Sequence, residues 1–186
     1  VQTISGRFPG SAVLMGDQGT RAALYRAAPG KTTLHLATHG VVDMREPSRS
    51  HLVLHGDPAG DGRLTYREIP GLAPYLGECR LVVLSACESG LAVDAPEPEE
   101  GHPAGVSIEG LAAQFRRAGV ETLVGSLWKV DDAGTLKLMQ RMYDELGRGT
   151  DVGRALQRAQ GEMIDAGDEW SHPWYWAGFT VVGDWR

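Results

Sequence analysis

One histidine and one cysteine each stand at the end of a strand-like run. His39 closes the stretch KTTLHLATHG, Lys31 to Gly40, and Cys87 follows the apolar run that begins at Cys79, CRLVVLSAC. A thiolate is a strong nucleophile, but it needs a base or a cation beside it to be ionised at neutral pH. Imidazole is the commonest such base. The pair therefore predicts attack on a carbonyl carbon by Cys87, with His39 as the base.

Backbone groups at the same two positions fit that chemistry. A glycine at position 40 lets the main chain approach a substrate without a side chain in the way. The N–H groups of Gly40 and Cys87 would then bind the oxyanion of the attacked carbonyl. Each residue alone has a simpler interpretation, because a free cysteine often packs as a small buried hydrophobe and a strand-end histidine is often structural. Their joint placement favours catalysis.

Strands and helices alternate along the chain, and this pattern decides where the two residues lie. Strands are predicted over 11–16, 31–40, 51–56, 79–86, 120–128 and 175–183, and helices over 18–27, 107–119, the residues after 132, and 151–165. Such alternation predicts βαβ crossovers, and so an α/β fold with a mostly parallel sheet between two layers of helices. In such sheets the working site lies at the carboxyl ends of the central strands, where ATHG and SACESG stand. The acidic, proline-rich segment from Leu91 to Gly105 is predicted to be a loop.

Composition limits the partners of the protein. The net charge of −6, without any basic run, argues against nucleic acid and anionic membranes as partners, and no apolar stretch approaches the length of a membrane span. Two cysteines are too few for a disulfide framework, which favours a reducing compartment and hence the cytoplasm. The length of 186 residues suits a single domain.

Metal and cofactor chemistry find no support in the sequence. The histidine pairs 35/39 and 51/55 are spaced by four residues within strand-like runs, where that spacing spans about 13 Å and is too long for two ligands of one ion. The tract PGKT, Pro29 to Thr32, lacks the first glycine of a phosphate-binding loop and precedes a strand instead of following one. We predict neither a metal nor a cofactor.

Five ordered blocks resemble a known family. They read HLATHGVVD, LVVLSACESGLA, IEGLAAQFRRAGVETLVGSLWKVDDAGTLKLM, ALQRAQ and HPWYWAGFTVVGD. Together, from about Ser11 to Gly183, they resemble the hallmark blocks of the CHAT domain, a family related to caspases and separases. The resemblance implies a caspase-like three-layer αβα sandwich and cysteine endopeptidase activity, with His39 as the catalytic histidine and Cys87 as the nucleophile. The 48-residue spacing of the two is similar to that in caspases, whose histidine lies about 50 residues upstream.

The same resemblance suggests residues that bind substrate. Ser85 stands where the relatives line the pocket for the residue before the scissile bond, and it makes that wall small and neutral. Asp132 matches an acid of a separase segment that helps to bind a basic side chain. Both Asp131 and Asp132 could instead cap the following helix. Trp128 is a candidate for lining the peptide groove, with core packing as its alternative.

We therefore expect a cysteine endopeptidase that cleaves a protein or peptide substrate through a thioester, with a preference for a basic residue before the cleavage site. A regulatory domain or partner is expected to control it. The alternative is a catalytically silent or gated scaffold that acts as a protein-interaction module in signalling. Because CHAT domains usually begin with more chain than precedes Val1, residues 1–186 are expected to form a single domain without its N-terminal part and any regulatory domain.

Overall fold

The fold is described from a computed structural model of the chain. It describes residues 2–41, 43, 46–58, 60–85, 87–88, 108–128 and 130–186, and at positions 47, 87, 88 and 109 the backbone alone. The strands are β1 (Thr33–Leu36), β2 (His39–Val41), β3 (His51–Val53), β4 (Arg63–Thr65), β5 (Leu81–Leu84), β6 (Cys87–Glu88), β7 (Thr122–Ser126) and β8 (Phe179–Gly183). The α-helices are α1 (Gln2–Ser5), α2 (Arg21–Ala27), α3 (Ile108–Arg117), α4 (Asp132–Gly147) and α5 (Val152–Asp165), with short 3₁₀ segments between them.

A mostly parallel sheet forms the middle layer, as predicted. Its strand order is β1-β5-β7-β8. β5 runs parallel to both of its neighbours, β1 and β7, and only β8 is antiparallel. Parallel neighbours require crossover connections, and α3 lies in the one that joins β5 to β7. α3 packs on one face of the sheet, whereas α4 and α5, which lie between β7 and β8, cover the other face.

Strand β5 shows why two helical layers are needed. All four of its residues are buried, and successive side chains of a strand point to opposite faces. Val82 and Leu84 pack with α3 and with the 3₁₀ segment Ile69–Tyr75, whereas Leu81 and Val83 pack with α4 and α5. The apolar run LVVL therefore joins two cores, which gives the caspase-like three-layer α/β sandwich.

A second, smaller sheet stands beyond the carboxyl ends of β1 and β5. Its order is β4-β3-β2-β6, with β2 and β6 parallel and the other pairs antiparallel. The run from Lys31 to Gly40 was predicted as one strand, but it divides at Ala37 and Thr38 into β1 and β2. The Thr38 hydroxyl donates a hydrogen bond to the Val53 carbonyl, so the chain turns out of the first sheet at the point where it meets β3.

Two other predicted segments differ from the structure or lie outside it. Residues 11–15 form no strand, and they line a cavity of about 990 Å³ together with the β1 residues. The predicted strand at 11–16 is therefore wrong in this structure, because the segment makes no ladder with β1. The predicted loop from Leu91 to Gly105 lies outside the described residues. Within the described ranges, the chain has no helix with both the length and the apolarity needed to cross a membrane.

Helix ends follow the capping rules. Asp131 accepts hydrogen bonds from the N–H groups of Ala133 and Gly134 at the start of α4, and Asp151 accepts one from Arg154 at the start of α5. Gly119, with φ of 92°, follows the end of α3. These caps fix where the two long helices begin.

Glu145 is a buried carboxylate that ties α4 to α5. Its side chain is 6% exposed, and its oxygens accept hydrogen bonds from Arg158 at 2.5 Å, from Thr150 at 3.1 Å and from Arg148. These donors, Arg158 first, lower the pKa of Glu145 from 4.5 to about 2. A carboxyl whose pKa is lowered by folding stabilises the fold above its unfolded pKa, and that stabilisation is lost as the pH falls toward the folded pKa.

We expect Glu145→Gln to lower the free energy of unfolding at pH 7 and to remove the part of the acid destabilisation that Glu145 contributes between about pH 4.5 and pH 2. Urea unfolding at pH 7 and at pH 3 measures both effects. Glu162→Gln is the matched control, because the Arg141–Glu162 ion pair also joins the two helices but leaves Glu162 53% exposed. An equal destabilisation by Glu145→Gln at pH 7 and pH 3 would contradict the assignment.

Candidate active site

The predicted catalytic residues occupy neighbouring positions on β2 and β6. β1 and β5 pair in parallel with Leu36 opposite Leu84, and after a short break β2 and β6 pair in parallel with His39 opposite Cys87. The paired residues are 48 positions apart in the sequence in both sheets, so the break between the strands leaves the pairing register unchanged. Adjacent parallel strands lie about 4.8 Å apart. The backbones at His39 and Cys87 are therefore direct neighbours.

His39 and Gly40 differ in their exposure. The side chain of His39 is exposed to solvent, whereas Gly40 is buried in the middle of β2 between Leu52 of β3 and Glu88 of β6. An exposed imidazole at this position is open to a substrate. The assignment of the Gly40 and Cys87 N–H groups to an oxyanion site stays a prediction.

Ser85 is held by two hydrogen bonds to β1. Its N–H donates to the carbonyl of Leu36 at 3.0 Å, and its hydroxyl lies 3.0 Å from Nε2 of His35. The other ring nitrogen of His35, Nδ1, lies 3.1 Å from the hydroxyl of Tyr143 on α4. The side chain predicted to line a substrate pocket is thus the end of a polar chain that crosses from α4 through β1.

Burial determines the protonation states of His35 and Tyr143. It lowers the pKa of His35 to about 4 and raises the pKa of Tyr143, because the charged forms of both groups lose their hydration. His35 is therefore neutral and Tyr143 protonated at neutral pH. Neutral imidazole carries one N–H and one acceptor nitrogen, which matches two hydroxyl partners.

This neutral histidine predicts a stability that depends on pH. An unfolded His35 gains a proton below about pH 6.5, whereas the folded one, in contact with Tyr143, stays neutral down to about pH 4. The stability contributed is complete above pH 6.5 and is lost as the pH falls to 4, by at most about 3 kcal/mol. We expect the difference in unfolding free energy between the native protein and His35→Gln to shrink across that window. A difference that is constant from pH 7 to pH 4 would show that His35 titrates alike in both states.

The remaining predicted residues follow β7, which neighbours β5 in the sheet. Asp131 caps α4, so capping is its role in the fold, whereas Asp132 is the exposed first residue of that helix. Trp128 is partly buried and lies against Gly178, where an added Cβ would come within 2.9 Å of the indole ring. Because β5 and β7 are parallel, the chain that follows Ser126 leaves β7 at the same end of the sheet as Ser85.

Comparison with known proteins agrees with this architecture. The family model described as "CHAT domain" matches residues 1–184. This chain belongs to the CHAT domain family. CHAT domains are a caspase-like family, and the parallel sheet that leads to His39 and Cys87 is therefore the sheet of this family's fold.

Two curated proteins are similar to part of this CHAT domain. Tetratricopeptide repeat protein 28 of Mus musculus is 31% identical over 81 residues, which are 42% of this chain and 3% of that protein. The protein of the same name from Homo sapiens is 32% identical over 73 residues, which are 39% of this chain and 3% of that protein. The chain thus spans about 3% of the length of the curated relatives it matches.

Sequence reasoning found the two strand-end residues but did not find the polar chain behind them. His35 was considered only as half of a metal pair, and Tyr143 received no role within the helix predicted after residue 132. A signal was present, because both residues carry polar atoms at positions patterned for the core, and buried polar atoms need partners. Which partner each would find depends on residues 50 and 108 positions away along the chain.

Proposed function

We propose that this CHAT domain is a cysteine endopeptidase that uses Cys87 as nucleophile and His39 as base. The observation that carries the proposal is the register that sets His39 opposite Cys87 on adjacent parallel strands. A backbone separation of about 4.8 Å lets an imidazole and a thiolate meet. His39 would take the thiol proton, Cys87 would attack the substrate carbonyl, and the proton would pass to the leaving amine as the thioester forms. Water would then hydrolyse the thioester.

The two cysteines provide an internal control for this proposal. Cys79 is 2% exposed, its Sγ lies 3.4 Å from the Leu81 carbonyl, and burial raises the pKa of its thiol. Such a thiol is a poor nucleophile at neutral pH. Cys79 should therefore stay unlabelled, and an adduct on the native chain can be assigned to Cys87.

The test is covalent labelling with a peptidyl acyloxymethyl ketone that carries arginine before the reactive group, followed by mass-spectrometric mapping of the adduct. We expect an adduct on Cys87 in the native chain and in Cys79→Ala, and none in Cys87→Ala. Labelling that persists in Cys87→Ala would contradict the proposal. A native chain left unlabelled would favour the alternative of a silent scaffold, which neither the fold nor the comparisons favour.

Asp132 supports a preference for a basic residue before the scissile bond. Its carboxylate is exposed at the sheet edge that also holds Ser85, where it would attract lysine or arginine. We expect Asp132→Asn to reduce the labelling preference for an arginine probe over an alanine probe several-fold, as loss of a pair of about 1 kcal/mol implies. Asp131→Asn is the matched control, because asparagine keeps the helix cap while the neighbouring charge is removed. An unchanged preference in Asp132→Asn would refute this assignment.

Control by another protein segment also belongs to this proposal. The curated relatives are named for their tetratricopeptide repeats, and we propose a helical-repeat domain or partner of that kind as the regulator of the protease. A reducing compartment such as the cytoplasm suits an enzyme whose nucleophile must stay a thiol. The substrate would be a protein or peptide.

A further inference from the structure

A chain of three polar side chains crosses the layers of the domain directly behind the candidate site. The Tyr143 hydroxyl on α4 lies 3.1 Å from Nδ1 of His35 on β1, and Nε2 of the same ring lies 3.0 Å from the Ser85 hydroxyl. The rings of His35 and Tyr143 are stacked with their planes 15° apart and their centroids 5.6 Å apart. Phe8 meets the Tyr143 ring edge-on, again at 5.6 Å. Ring packing and hydrogen bonds thus both fix the orientation of the His35 imidazole.

Each hydrogen bond among these three side chains has a preferred donor and a preferred acceptor. A phenol is a much better donor than an aliphatic hydroxyl, so Tyr143 donates to Nδ1, and the ring proton sits on Nε2 and is donated to Ser85. Both nitrogens of His35 are then satisfied in the interior, which removes the cost of burying an unpaired polar atom. An apolar residue of similar size at position 35 would fill the space but would release Ser85.

The position of these three polar side chains relative to His39 and Cys87 indicates their role. His35 precedes His39 by four residues, and Ser85 precedes Cys87 by two. Ser85 directly follows β5, and its N–H donates a hydrogen bond to the Leu36 carbonyl. The hydrogen bond from His35 is therefore a second interaction that holds Ser85, at the point where the polypeptide leaves the first sheet for the second.

We propose that His35 is a positioning residue of this CHAT domain, which acts through Ser85: with Tyr143 behind it, it holds Ser85 as a fixed wall of the pocket for the residue before the scissile bond. This inference rests on the proposed function, because it assigns a role within the same site. His35 itself touches neither the substrate nor the reacting atoms. Its effect is on recognition of a peptide and not on the reactivity of the thiol.

Two substitutions at position 35 separate positioning from the filling of space. The amide nitrogen of glutamine reaches about as far as Nε2 of histidine, and that of asparagine about as far as Nδ1. His35→Gln therefore keeps a donor for Ser85, whereas His35→Asn loses it while it stays polar and compact. Tyr143→Phe removes only the hydroxyl that orients the ring. Tyr25→Phe is the matched control, because Tyr25 stacks on Tyr75 at 4.8 Å, away from this chain.

The experiment compares two reagents on each variant. The arginine acyloxymethyl ketone requires a formed peptide pocket, whereas iodoacetamide requires only a reactive thiol. We expect His35→Asn and Tyr143→Phe to lower the rate of labelling by the peptidyl reagent roughly 3- to 10-fold, as loss of one hydrogen bond implies. Iodoacetamide should react with Cys87 at a nearly unchanged rate in every variant. In His35→Gln and Tyr25→Phe, both reagents should label Cys87 almost as fast as they do in the native chain.

Three results would overturn the inference and leave the proposed function intact. Equal losses in His35→Gln and His35→Asn would mean that the residue only fills space. If the peptidyl reagent labelled Tyr143→Phe at the native rate, the Tyr143 hydroxyl would have no part in holding His35 and Ser85 in place. Parallel losses with both reagents would place the effect on the thiol or the fold and not on the pocket. A native chain that the peptidyl reagent leaves unlabelled overturns the proposed function itself, and the role of His35 with it.

Discussion

Replacement of His39 by alanine should lower kcat/KM for a cleaved peptide by roughly 10³-fold or more, which makes it the most damaging change of a single side chain outside Cys87 itself. Without the imidazole, the neighbouring thiol has no base to ionise it, and the leaving amine has no acid to protonate it. The unfolding midpoint should stay close to the native value, because the side chain of His39 is exposed. A fluorogenic peptide assay and a thermal melt measure the two quantities.

The control for this prediction is His55→Ala. His55 is also exposed and follows the strand next to β2, with Nδ1 bonded to the Gly56 carbonyl at 2.7 Å, but it faces no register partner on β6. We expect its activity to stay within about twofold of the native value, as for an ordinary surface substitution. If His39→Ala retained a tenth of the native activity, the assignment of His39 as the catalytic base would fail.

Gly62→Ala should destabilise the domain by about 2–4 kcal/mol, since it combines strain with a steric clash. Gly62 has φ of 80°, and an added Cβ would lie 2.4 Å from the Leu54 carbonyl oxygen and 2.8 Å from the Gly56 nitrogen. Its own carbonyl accepts a hydrogen bond from Leu54 at 2.7 Å, which closes the hairpin of β3 and β4. The backbone cannot move aside without loss of that bond. Denaturant unfolding gives the free energy directly.

The same loop contains the control for this change. An added Cβ on Gly60 would meet nothing within 4 Å, and Gly60 has no positive φ, so Gly60→Ala should cost no more than about 0.5 kcal/mol. Because β3 carries Val53 opposite His39, we also expect Gly62→Ala to reduce activity by more than its unfolded fraction explains. Equal stabilities of the two variants would refute the proposed clash.

Local pattern was enough to predict the central sheet. The apolar run over 79–86 predicted a strand, and β5 is buried at each of its four positions. The alternation of strands and helices predicted a mostly parallel sheet, and α3 lies within the predicted helix over 107–119. These features depend on periodicity and on single residues with strong backbone preferences, which a sequence displays directly.

Features that depend on distant contacts could not be predicted in this way. The break between β1 and β2 at Thr38 depends on a hydrogen bond to Val53, fifteen residues away. Residues 11–15 have the composition of a strand, but a strand forms only where an edge pairs with it. The partners of His35 are set by the packing of α4 on the sheet, a tertiary contact that no local pattern encodes.

The pH dependence of Cys87 alkylation, compared between the native chain and His39→Ala, tests the central assignment most directly. Iodoacetamide rates at Cys87 are read by mass spectrometry from pH 5 to pH 9, with Cys79 as the unreactive reference. If His39 and Cys87 form a dyad, the native thiol should react well below about pH 8, and the variant only as an ordinary thiol ionises, near pH 8.5. Identical profiles in the two proteins would show that His39 does not activate Cys87 and would contradict the account.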